Sequence, residues 1–176
     1  GVGGTGGIRA VEKPKKPVDP LVRVQALAAE CMVCHGTKEA QRGPILNGME
    51  TWYLTDQLEK FRSGIRGTRA SNRSEFLMGV GVKKIESDFE LAYLADWFAE
   101  KAPAPAIRTV EGDLEKGKKF YEERCAPCHG ANGEGNRLVR GPSLQRLEGW
   151  YFLEQMRKFR SGERGYHPLD EGGRVM

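Results

Sequence analysis

The sequence predicts an all-α protein made of two tandem copies of one small helical domain, and three observations carry that reading. The pentapeptide Cys-x-x-Cys-His occurs twice, as Cys31-Met32-Val33-Cys34-His35 and as Cys125-Ala126-Pro127-Cys128-His129. Apolar residues at helical spacing lead into both copies. An offset of 94 superimposes Cys31 on Cys125 and His35 on His129. An offset of 98 superimposes Pro44 on Pro142, Trp52-Tyr53 on Trp150-Tyr151, Gln57 on Gln155, the run Lys60 to Gly64 on Lys158 to Gly162, Arg66-Gly67 on Arg164-Gly165, and Met78 on Met176. The four additional residues fall in the Gly-rich loop 130–141. A repeat of this length is a duplicated domain.

The elements follow in order. Residues 1–18 are Gly-rich and then Lys/Pro-rich, a composition that cannot bury enough apolar area to offset its ordering entropy, and they read as a flexible arm. The first domain spans 19–100. Asp19-Pro20 supplies an N-cap and a first-turn proline, and Leu21, Val24, Leu27 and Ala28 then run at helical spacing toward Cys31. A loop with Gly43-Pro44 precedes a helix opened by Trp52-Tyr53, striped by Leu54, Leu58 and Phe61, and closed by Ser63-Gly64. Residues 65–78, rich in Arg, Gly and Ser, are expected to form a loop. Ser87 to Glu90 fits a capping box before a helix that buries Leu91, Leu94, Trp97 and Phe98. Pro103 and Pro105 mark a stiff connector at 101–112. Asp113 then caps a helix leading to Cys125, and the second domain spans 113–176.

Composition narrows the function classes. Charged residues make up 30% of the chain, and no apolar run approaches the roughly 18 residues a membrane span needs. No amino-terminal stretch reads as a signal peptide, so an exported chain would have lost its signal. Phosphate-loop, nucleophile-triad and nucleic-acid motifs are absent, and Gly133 to Gly135 is too short a pattern to count as one.

The pentapeptides carry the chemistry. Two thiols three positions apart on one turn can each add to a vinyl group of the same haem, while the next histidine reaches its iron. The two copies consume all four cysteines and two of the three histidines, so Cys31, Cys34, Cys125 and Cys128 are assigned as thioethers to two covalently attached haem c groups, with His35 and His129 as iron ligands. Zinc or a dithiol pair is the alternative. Four haem propionates would roughly cancel the formal charge of +4, which therefore says little about partners. Of the five methionines, only Met78 and Met176 are paired by the repeat, and a thioether far along the chain from its histidine is what a Met/His haem requires. The alternative is that both fill apolar gaps. His167, whose counterpart is Arg69, reads as a loop histidine. Arg66, Arg69 and Arg73 read as solvated charge, or as a patch steering an acidic partner.

With these residues in hand, the chain from about residue 19 to 176 resembles the two-haem class I cytochromes c of the cytochrome c4 type. Its Trp-Tyr-Leu and Arg-Gly stretches also look like the haem domain of some oxidase second subunits. The resemblance implies two tandem class I cytochrome c domains, each wrapped round one haem. It implies a periplasmic electron carrier, soluble or tethered at the membrane, that exchanges single electrons with a membrane oxidase or a quinol-oxidising complex. It further implies that Trp52, Tyr53, Arg62 and Arg66, with Trp150, Tyr151, Arg160 and Arg164, contact propionates; solvated arginines and a buried Trp-Tyr pair are the alternative. The family closes each domain with a helix after the methionine, and nothing follows Met176, so that helix is expected to be missing from the second domain. Two rival functions stand beside the carrier. One is a di-haem enzyme such as a peroxidase or thiosulfate dehydrogenase with a labile sixth ligand; the other is an electron-relay subunit of a larger complex.

Overall fold

A computed structural model describes residues 1, 3–4, 6–13, 16, 18–36, 43–104 and 109–176. Pro14, Lys15 and Pro17 of the arm and Pro105 of the connector lie outside the described residues. Among the described residues the fold is helical, with one isolated bridge between Asn136 and Gly141 and no strand. No helix among them is long and apolar enough to cross a membrane.

Helix α1, Pro20–His35, begins where the Asp19 carboxylate accepts the Leu21 N–H at 2.8 Å and Pro20 fills a position that needs no N–H. It does not stop before the first pentapeptide but carries it as its last turn. Helix α2, Thr51–Ser63, ends on Gly64, whose φ of 80° lies in the left-handed region and whose N–H bonds the Lys60 carbonyl. A side chain there would cost about 1–2 kcal/mol. Helix α4, Asp88–Ala99, starts at Ser87, whose hydroxyl accepts the Glu90 N–H at 3.1 Å. The Glu90 carboxylate does not return to Ser87; it accepts the Glu86 N–H and pairs with Arg23 at 3.0 Å, tying α4 to α1.

Between them lies helix α3, Arg73–Gly81, where a loop to Met78 was expected from the sequence. No apolar stripe announces it, because Phe76, Leu77 and Val80 all stay exposed. Its place is set instead by Glu75, buried against groups from the other half of the chain. A short 3-10 turn over Val82–Lys84 leads on to α4.

Val24, Leu27 and Ala28 of α1, Phe61 of α2, Leu91 and Leu94 of α4, and Val82 and Ile85 form one core; Leu54, Ala95 and Phe98 form a second beside it. Each large side chain in these clusters contributes about 1.5–3 kcal/mol by leaving water. Trp97, expected to be buried, is only partly so; it meets Phe98 edge-on at 4.8 Å and carries Lys101 over its face.

The second half repeats the order with a different approach to the motif. Helix α5, Leu114–Phe120, is capped by Asp113 and passes into a π turn, Tyr121–Cys125, before the single turn α6, Ala126–His129. Pro127, which stands where the first motif has Val33, offers no N–H and crowds the carbonyl four residues back. The Ala126 N–H accordingly bonds the Tyr121 carbonyl, five residues back. Helix α7, Gly149–Ser161, matches α2 and also ends on a left-handed glycine, Gly162. Helix α8, Glu171–Val175, precedes Met176. Every buried apolar side chain among the described residues belongs to the first half.

Candidate haem sites

In the first half, the last turn of α1 buries His35, and its Nδ1–H donates to the Pro44 carbonyl at 2.7 Å. That tautomer leaves Nε2 with a free lone pair, and Nε2 faces Met78 Sδ at 3.5 Å across the gap between α1 and α3. Gly43 makes the approach possible. A Cβ at that position would come within 2.5 Å of the His35 ring, while the Gly43 N–H bonds the Cys34 carbonyl at 2.9 Å. Burial holds the pKa of His35 below its ordinary value, against the opposing effects of the Pro44 carbonyl and the Glu148 charge. Burial thus favours the neutral ring, the form that binds a metal.

The second half matches this on the histidine side. His129 is buried, with Nδ1–H donating to the Pro142 carbonyl at 2.8 Å, and a Cβ on Gly141 would collide with the Cys128 carbonyl. Cys125, Cys128, His129, Met156, Phe159 and Met176 share one cavity of about 680 Å³. Met176 is 49% exposed. His167 does not reach that cavity; its Nδ1 accepts the Leu169 N–H at 3.1 Å. Met32 packs at the first-half core, and Met49 packs there while also lining this cavity.

Burial pushes the Cys31 thiol up, aided by Glu30, and burial also pushes up Cys125. A reactive dithiol needs the opposite shift. Among the described residues no three of His, Cys, Asp and Glu cluster to hold an ion. Paired thiols, an imidazole with Nδ1 already engaged and a thioether brought to its other nitrogen are the donor set of a covalently attached haem, and an apolar cavity lies beside the second motif.

The residues expected at propionates divide. Trp52, Tyr53, Tyr151 and Arg164 line the cavity, whereas Trp150, Arg62, Arg66 and Arg160 do not. Arg62 holds Asp88 at 2.5 Å, and Arg160 is exposed. Arg66 and Arg164 are buried together where the halves meet, each over the phenyl ring of its own half, Phe61 and Phe159, at 4.5 Å. Arg66 donates to Glu75, to Gln57 at 2.7 Å and to Gln155 at 3.2 Å. Arg164 donates to Gln155 at 2.8 Å, to the Tyr53 hydroxyl at 3.1 Å and to Gln57 at 3.2 Å. Lys158 reaches Glu75 at 3.3 Å and Lys60 reaches Asp170 at 2.8 Å. Burial alone would raise the Tyr53 pKa, but the Arg164 and Arg66 guanidiniums outweigh it and leave the pKa below its ordinary value. Arg66 and Arg69 thus form no joint exposed patch: Arg66 is buried, and Arg69 lies over the Tyr166 ring at 3.8 Å.

Two more bonds cross between the halves. The Ile45 N–H donates to Glu148 Oε1 at 3.1 Å, and the Ser143 N–H donates to Glu50 Oε1 at 2.5 Å. Sequence reasoning missed Glu50, Glu75, Glu148 and Lys158. The recurrence of Gln57 as Gln155, like those of Glu50, Lys60 and Arg66, was a visible signal of this surface, since an unforced glutamine has little reason to recur.

Comparison with known proteins identifies relatives of the chain. The cytochrome c family model matches residues 114–175. Cytochrome c4 of Azotobacter vinelandii is 30% identical over 151 residues, covering 80% of this chain and 72% of that protein. A FixP subunit of a cbb3-type cytochrome c oxidase from Bradyrhizobium sp. (strain ORS 278) is 30% identical over 121 residues, and the match spans 40% of its length. Among solved structures, cytochrome c4 of Acidithiobacillus ferrooxidans superimposes with a TM-score of 0.65 at 21% identity, covering 85% of this chain and 91% of that one. A thiosulfate dehydrogenase from Marichromatium purpuratum also gives 0.65, at 25% identity, over 89% of this chain but 36% of its own.

Proposed function

This chain belongs to the cytochrome c4 family, and on that premise we propose that it shuttles single electrons with His35 and Met78 closing one iron and His129 and Met176 the other. The protein is a di-haem electron-transfer cytochrome with two covalently attached haem c groups, not an enzyme. The observation that carries the ligand assignment is the opposition of His35 Nε2 and Met78 Sδ, with Nδ1 already engaged.

Haem held between an imidazole and a thioether supplies an iron that takes up and returns one electron, with the ferrous state favoured by sulfur. The chain's residues keep that exchange free of substrate chemistry. Pro44 and Pro142 fix the orientation of the two rings through Nδ1. Met78 would supply the second iron ligand beside His35, and Leu58 and Phe61, packed with it, would keep water from that site. Met156 and Phe159 would do the same along the second cavity, where Met176 is the lining thioether that the repeat pairs with Met78. Arg164 and Tyr53, on the cavity wall, offer donors to propionates.

The domains proposed are 19–100 and 113–176, joined by 101–112. The proposed partner is a membrane oxidase or quinol-oxidising complex met in the bacterial periplasm; similarity to an oxidase subunit supports it. A near-infrared spectrum of the ferric protein tests the ligand set. Methionine-to-iron charge transfer accounting for two haems is expected. A high-spin signal, or rapid binding of cyanide or carbon monoxide, would instead assign an open iron and favour an enzyme.

A further inference from the structure

Each axial histidine is tied, through one peptide group, to a carboxylate of the other half. His35 Nδ1–H donates to the carbonyl of Pro44, and the N–H of the same peptide, on Ile45, donates to Glu148. His129 Nδ1–H donates to the carbonyl of Pro142, and the N–H of that peptide, on Ser143, donates to Glu50. Glu50 and Glu148 are repeat counterparts, as are Ile45 and Ser143, so the two relays are reciprocal. Glu148 is 4% exposed, and Glu50 is held in place by its other oxygen, which accepts the Trp52 indole N–H at 2.9 Å.

We propose that Glu50 and Glu148 are positioning residues that set the reduction potential of the haem in the opposite half. A carboxylate on a peptide N–H polarises that peptide, because hydrogen bonds in series strengthen one another. The carbonyl becomes a stronger acceptor and draws the Nδ1 proton further. A more basic imidazole is the better donor to ferric iron. The negative charge acts in the same direction. Each glutamate therefore lowers the potential of the haem it does not share a domain with, and the same contact holds the halves together. One electron enters from the reductant on reduction, and no proton leaves the relay. The inference rests on His35 and His129 as iron ligands.

The test is a redox titration of the full-length holoprotein and of its Glu50→Gln and Glu148→Gln variants, followed by proton NMR on the hyperfine-shifted resonances of each axial histidine. Glutamine keeps an oxygen acceptor and removes the charge. In Glu50→Gln the reduction equilibrium of the His129 haem should shift toward ferrous iron threefold or more, about 28 mV at 59 mV per tenfold for one electron. The His35 haem should move less, and Glu148→Gln should give the reverse pattern. A smaller shift, or an equal or larger shift in the same-half haem, overturns the proposal while leaving the ligand assignment intact. Loss of both low-spin histidine signatures in the unmodified protein would overturn the ligand assignment itself. If neither variant retains haem, slow amide exchange at Ile45 and Ser143 in the unmodified protein supports the relay, and exchange as fast as at an open loop refutes it.

Discussion

His35 and Met78, 43 positions apart in the chain, come together with Nε2 and Sδ at 3.5 Å. The contact joins the end of α1 to the middle of α3. Replacing Met78 by Ala should lower one of two haem potentials and let carbon monoxide bind one iron, because the thioether that favours ferrous iron is gone. The stability cost should be about 2 kcal/mol, the low end for a buried methionine truncated to alanine, since Met78 is only partly buried. Potentiometry and carbon monoxide difference spectra read the first effect, and urea denaturation the second. Two unchanged potentials would remove Met78 from the ligand set.

Gly43 is predicted to tolerate no side chain. With the Cβ set 2.5 Å from the His35 ring, Gly43→Ala must displace either the loop or the imidazole. Loss of the Nδ1 bond to Pro44, a net contribution of about 1 kcal/mol, is the minimum consequence. Lower haem occupancy of the first site, measured by mass spectrometry of the purified chain, is the expected outcome; normal occupancy with an unaltered histidine signature would refute it.

Glu75 is predicted to be the costliest single carboxylate. It is 3% exposed and serves Arg66, Lys158 and Asn72 at once. Glu75→Ala leaves the buried Arg66 without its carboxylate and Lys158 with only Glu154, a change worth about 3–5 kcal/mol when a buried pair is broken. Urea denaturation should show the loss. A loss below about 1 kcal/mol, the range of exposed pairs, would mean the cluster is solvated in solution.

The same carboxylate sets an acid limb. Burial alone would raise the Glu75 pKa, but Arg66 more than offsets this and holds it below the ordinary 4.5. A group depressed on folding adds stability that is complete above 4.5 and disappears as pH falls through its folded value. The melting temperature should therefore drop as pH is lowered from 4.5, and Glu75→Gln should show a flatter acid limb from a lower starting point. Parallel limbs in the two proteins would assign the acid sensitivity to other groups.

Much of the helix order was legible because local signals agreed with the fold. Asp19, Ser87 and Asp113 cap as their positions indicate, and Gly64 and Gly162 end their helices. Helix α3 was not legible, since its position depends on Glu75 reaching Lys158 more than 80 residues away, and propensity carries no record of that. The π turn before Cys125 was hidden for a different reason: Pro127 reads as part of a haem motif, and its ring and missing N–H act on the backbone about one turn earlier. Arg66 and Arg164 were visible as a repeated pair, but a repeat does not show that Arg164 lines the cavity while Arg66 is buried against the other copy's Gln155.

Glu50 holds Ser143 as Glu148 holds Ile45, and Arg66 meets Gln155 as Arg164 meets Gln57. A contact in which residue i meets j while j meets i is the signature of a homodimer about a two-fold axis. The connector thus ties together surfaces that are already self-complementary. Because both faces belong to one chain, their pairing is fixed at a one-to-one ratio, independent of concentration.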